Sequence, residues 1–136
     1  MTAVAVGEAR LDHALAHGVY VVTCSGLVTA QTVTAIRAWL AQAMPGTARA
    51  AVIDYRACVV AVTEDDLQRL AVPGRSPSPS APLAWVVPND TTAEVWRRQV
   101  LRLAMSGQRR YVSCDPVQAH AWAIAQAQLA QAGAAP

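Results

Sequence analysis

The amino-acid sequence predicts an α/β domain, a largely parallel sheet of βα units with helices packed against it. Two observations carry that prediction. A short apolar run, a polar break and an amphipathic helical stretch follow one another four times: Val19–Cys24 leads to Thr29–Met44, Ala50–Tyr55 to Thr63–Ala71, Leu83–Val87 to Asp90–Ser106, and Arg110–Cys114 to Asp115–Gln131. Strands alternating with helices in this way argue for a parallel sheet. The four strand runs are also apolar on consecutive residues, as strands buried on both faces are. At 136 residues the chain reads as a single domain, 1–136, able to bury about two-thirds of its unfolded surface and so to form a core without metals or disulfides.

Each element has its own warrant. Glu8–Ala16 alternates and is followed by His17-Gly18, which reads as an antiparallel N-terminal edge strand turning tightly into Val19–Cys24. In the first helix Val33, Ile36, Leu40 and Met44 recur on one face, and Pro45-Gly46 stops it. The second helix is short. Thr63 followed three residues later by Asp66 has the spacing of a capping box, and Glu64 and Asp65 suit the positive helix start.

Val72–Pro82 is the one low-complexity stretch, with five residues that are proline or glycine and Ser76, Ser78 and Ser80 between them. It predicts a mobile surface connector within the domain. The third helix is bounded by Asp90 as N-cap and Gly107 as stop. Ala93, Trp96, Val100 and Leu103 form its inward stripe, with Val95, Arg98, Arg102 and Met105 opposite and Glu94 set to pair with Arg98. Asp115-Pro116 opens the last helix, the proline standing where a missing N–H is harmless. Val117, Ala121 and Ile124 are expected inward, Trp122 and Leu129 on the flank, and Gln131–Pro136 frayed.

Composition narrows the function. Hydrophobic residues make up 54% of the chain but form no run long enough for a membrane span. The start lacks a basic patch and a long apolar stretch, so no signal peptide is expected and the location is cytoplasmic by default. A net charge of +2 does not suggest nucleic acid as a partner. All eleven basic residues are arginine. The cysteines Cys24, Cys58 and Cys114 are irregularly spaced with no C-x-x-C, which argues against a zinc or thioredoxin-like site. Cys24 and Cys114 close apolar strands as small hydrophobes, whereas Cys58 is expected in a loop and is the one cysteine placed to react. His13, His17 and His120 have no ligand spacing, and no serine sits in a nucleophile elbow. No catalytic residues, metal or cofactor are assigned.

Two segments resemble a known family. Ala51-Val52-Ile53-Asp54-Tyr55-Arg56 looks like the central strand of small bacterial proteins with a SpoIIAA-like (STAS) domain. Arg109-Arg110-Tyr111-Val112-Ser113-Cys114-Asp115, followed by Ala119 and Trp122, is similar to that family's closing segment. The likeness runs from Gly18 to Ile124 and implies a superhelix of βα turns. Anti-sigma factor antagonists of this family are phosphorylated on a serine at the start of the second helix. Thr63 stands at that place here, but the preceding Asp and the Gly of the family motif are absent. Thr63 is therefore read as a helix cap, with phosphorylation as the alternative. The implied fold is also similar to that of CRAL-TRIO lipid-transfer proteins, which implies a small apolar ligand as a second reading.

In parallel sheets ligands sit beyond the C-terminal strand ends. That edge is predicted to gather Ser25 and Gly26, Asp54 and Arg56, Thr63, Asn89 and Asp90, and Asp115. Thr63, Asp90 and Asp115 also read as caps, and Asp54 and Arg56, at i,i+2, as partners of one another. The arginines at 97, 98, 102, 109 and 110 are denser than elsewhere. They read as a solvated face or as a surface for a phosphate or an acidic protein. The function expected is a noncatalytic regulatory or protein-interaction module, with Val95, Arg98, Arg102 and Met105 meeting another copy or an acidic partner. A carrier of a small apolar ligand or lipid is the alternative.

Overall fold

The computed structural model describes residues 3–70, 80–105 and 109–134, without the side chains of 101–105 and 133–134. Six strands form one sheet in sequence order: β1 (Ala3–Val6), β2 (Ala9–Ala16), β3 (Val19–Thr29), β4 (Ala50–Ala61), β5 (Leu83–Val86) and β6 (Arg110–Ser113). Four helices pack on it: α1 (Ala30–Ala43), α2 (Glu64–Leu70), α3 (Asp90–Met105) and α4 (Pro116–Ala134). β1, β2 and β3 are antiparallel, and β3 to β6 are parallel. The protein is thus an α/β fold with an antiparallel N-terminal edge. All but the last three residues of the Val72–Pro82 connector lie outside the described residues.

The hairpin between β2 and β3 turns at His17 and Gly18, both with positive φ (55° and 76°). That is the twist a two-residue hairpin needs. The true edge strand is β1, which the sequence reading did not identify. Its four residues are too short to show a periodicity.

β3 and β4 run on past the expected Cys24 and Tyr55, to Thr29 and Ala61. The register between them slips once, because Thr23 faces Asp54 while Ser25 faces Ala57. This bulge absorbs the polar Arg56, which in the sequence looks like a strand end. Beyond it Val59 and Val60 pair with Leu27 and Val28. Cys58 is consequently in a strand and 9% exposed, not in a loop.

The parallel strands succeed one another in a single direction. Crossovers of one hand then place every connecting helix on the same face. Val33, Ile36 and Leu40 of α1, Leu67 of α2, and Ala93 and Trp96 of α3 share a core with Tyr20, Ile53, Tyr55 and Trp85. α4 covers the opposite face and buries Ala119, Ala123 and Ala127 against Val19, Val52, Ala84 and Val86. The inward face expected for α4 is therefore wrong. Val117 is 75% exposed, Ala121 is exposed and Ile124 is half-buried. α4 is apolar nearly all round, so hydrophobic spacing does not pick its inward side. Alanine size does, since an i,i+4,i+8 alanine row lets helix and sheet approach closely.

Candidate functional site

The C-terminal ends of the parallel strands are built from local hydrogen bonds. Asp54, on the α4 side of β4, accepts from the Arg56 backbone N–H at 3.0 Å. It also takes both arms of the Arg56 guanidinium, at 3.1 Å and 2.8 Å. The carboxylate is nearly buried and the guanidinium half exposed. Hydrogen bonding to Asp54 raises the Arg56 pKa. The i,i+2 pairing read from the sequence is present.

Thr63 and Asp66 form the expected capping box. Thr63 Oγ1 accepts from the Asp66 N–H at 3.1 Å, and the Asp66 carboxylate accepts from the Thr63 N–H at 3.0 Å. These bonds, with Arg69 at 2.7 Å, hold the Asp66 pKa below the ordinary carboxylate range. The cap of α3 is Asn89, whose Oδ1 accepts from the Thr92 N–H at 2.9 Å. Asp90, expected in that role, instead accepts from the Cys114 thiol at 2.9 Å and raises its pKa. Asp115 caps α4 through the Val117 N–H at 2.9 Å.

The edge therefore brings Asp90 and Cys114 together and joins Asp54 to Arg56. Ser25 is not part of it. Because β3 continues to Thr29, Ser25 lies mid-strand, opposite Arg10 and Ala57. Gly26 beside it has a structural task. Its φ is 98°, and a Cβ there would come within 2.5 Å of the Glu8 carbonyl oxygen.

The four C-terminal arginines whose side chains are described do not gather. Arg97 donates to the Val112 carbonyl, Arg98 to Glu64 of α2 and Arg109 to Gln126 of α4. Arg110 is buried. Arg98 pairs with Glu64 at 3.2 Å rather than with Glu94. Val95 is half-buried and packs on the core beneath α1–α3, so the Val95–Arg98–Arg102–Met105 stripe begins at the protein interior. The side chains of Arg102 and Met105 lie outside the described residues.

Among the described residues, no cluster of three His, Cys, Asp or Glu could hold a metal. Burial raises the Cys24 thiol pKa strongly and pushes that of Cys58 up to about 11, with Asp54 adding to both. Neither thiol is activated as a nucleophile.

A second locus lies inside the molecule, between the sheet and α1–α3. A cavity of about 40 Å³ is walled by Val33, Leu67 and Trp96. Four polar side chains also line it: Arg37, Trp85, Gln99 and Arg110. Arg37 donates to the Leu70 carbonyl at 2.9 Å, and Arg110 to the Ala81 carbonyl at 3.0 Å. The Trp85 indole nitrogen and Gln99 Oε1 are buried and, among the described residues, have no hydrogen-bond partner. The sequence carries a signal for this cavity in three polar residues at otherwise apolar positions. Arg37 interrupts the inward stripe of α1, Gln99 that of α3, and Arg110 opens an apolar strand.

No protein-family model, curated protein or solved structure matches the chain.

Proposed function

We propose that the chain is a noncatalytic regulatory or protein-interaction module, of the SpoIIAA-like (STAS) kind that its β4 and β6–α4 segments resemble, and that it acts by docking a second copy of itself. The outward surface of α4 carries this reading. Val117 is 75% exposed and Leu129 is 60% exposed, with Ala121, Ala125, Gln128 and Ala132 also exposed on that side. From Pro116 to Ala134 there is no aspartate, glutamate, lysine or arginine. A helix face turned to water ordinarily carries charge. Under two-fold symmetry the same patch meets itself, so a face carrying one sign of charge repels itself and an uncharged one does not.

The strand-end edge supports a noncatalytic role. Its hydroxyl and carboxyl groups serve as caps, hold Arg56 or, at Asp90, accept from the Cys114 thiol, and Thr63 is occupied in the α2 cap. A cavity of about 40 Å³ is far smaller than a lipid chain requires.

The test is sedimentation of the wild-type chain and a Val117→Glu, Leu129→Glu double variant. Both side chains are exposed, so folding should be unaffected. The wild type should associate as concentration rises, and the double variant should remain monomeric. A wild type that stays monomeric throughout, or a variant that associates equally well, overturns the proposal.

A further inference from the structure

The outward side of α4 has an order of side-chain sizes that bears on how a second copy sits on it. Val117, Ala121, Ala125 and Leu129 are all exposed and follow one another at intervals of four. They stand two positions from Ala119, Ala123 and Ala127, which pack on the sheet. Two positions are about 200° around a helix, so this row points away from the sheet. Its ends are large, with Val117 75% and Leu129 60% exposed, and its middle is two alanines.

Helices that cross are closest at the crossing point and part toward their ends. Alanines at the middle let two backbones approach, and larger side chains at the ends fill the widening gap. A two-fold axis between Ala121 and Ala125 meets both demands if the helices run antiparallel. Val117 then lies against the partner's Leu129, and Ala121 against the partner's Ala125. A parallel pair would match the sizes as well, but charge separates the two arrangements. The antiparallel pair opposes the helix dipoles and sets Asp115, the cap of α4, level with the partner's Gln131, which is neutral. The parallel pair aligns the dipoles and brings both Asp115 carboxylates to one end.

We propose that two copies pair through α4 as antiparallel helices crossing at Ala121 and Ala125, with Val117 of each copy packed on the partner's Leu129. This rests on the self-docking proposed above and adds its orientation and register.

The experiment uses the full chain carrying Cys114→Ser, which leaves only the buried Cys24 and Cys58. Val117→Cys and Leu129→Cys are made separately and oxidised in air with copper phenanthroline, each alone and as an equal mixture. In the antiparallel pair position 117 stands about 18 Å along the helix from its own mate. A disulfide spans roughly 7 Å at most between Cα atoms. The mixture should therefore cross-link 117 to 129, read by intact mass, with more than tenfold the yield of either variant alone. Ala125→Leu should weaken self-association in sedimentation by more than tenfold, because bulk at the crossing holds the helices apart. Added apolar surface would instead strengthen non-specific sticking, so this variant keeps the test decisive should a cysteine variant fail to associate. Cross-linking of 117 to 117 shows a parallel pair and overturns the proposal. A statistical mixture of cross-links does the same, as does Ala125→Leu associating as well as the wild type or better. If no cross-link forms while the wild type and both cysteine variants self-associate, the register is wrong and the docking through α4 stands. A wild type that stays monomeric overturns the docking and this pairing together.

Discussion

Asp54 shows how much a single side chain settles in this molecule. Its carboxylate holds both the guanidinium and the backbone N–H of Arg56 across the bulge of β4, which lets the strand continue to Ala61. Asp54→Ala should lower stability by about 1–3 kcal/mol in urea denaturation, because the Arg56 backbone N–H and guanidinium both lose a charged acceptor. Thr63→Ala should lower stability by about 1 kcal/mol, the ordinary loss for an N-cap. It should leave self-association unchanged, whereas loss of association without loss of stability would favour the switch over the cap. The Cys58 thiol, at about 11 against an ordinary 9.0, keeps its proton more tightly in the folded chain. Between those values the unfolded chain releases a proton that the native one retains, so stability is full below pH 9 and falls as pH rises through 11. Urea midpoints measured across that window should decline less steeply for Cys58→Ala. At pH 8 a thiol reagent should modify half-buried Cys114 before Cys24 or Cys58.

At the scale of elements, α4 and the β2–β3 ribbon are governed by the smallest side chains. α4 meets the sheet through Ala119, Ala123 and Ala127, which leaves no room for a larger residue. Ala123→Leu should therefore cost about 1–3 kcal/mol through overpacking, while Ala121→Leu, on the exposed side, should be nearly neutral. Thermal denaturation of the two variants decides which face is inward. Gly26 is the corresponding point in β3. Gly26→Ala should destabilise by more than about 1 kcal/mol, because it adds an unfavourable left-handed backbone to a clash with the Glu8 carbonyl oxygen. The expected and observed strands agree closely where the chain is uniformly apolar, as in Leu83–Val86. They part where a polar residue inside a strand looks like its end, as Arg56 does.

Across the whole molecule the two sheet faces divide the work. The α1–α3 face holds the larger core with Tyr55, Trp85 and Trp96, and encloses the cavity. The α4 face is a single helix on a bed of valine and alanine whose outer side is uncharged. Among the described residues, no helix is long and apolar enough to cross a membrane.

The order and type of the elements, the tight turn at His17-Gly18, the Thr63 capping box and the Asp54–Arg56 pair were all legible in the sequence. Each depends on residues a few positions apart, where spacing alone determines which groups can meet. Burial of Cys58, the inward face of α4, the contact of Asp90 with Cys114 and the cavity were decided by tertiary structure. Those features join segments tens of residues apart: Arg37 and Arg110 come together only because α1 and β6 flank the same space. Local periodicity records which residues are apolar, but the sheet order decides which of them face one another.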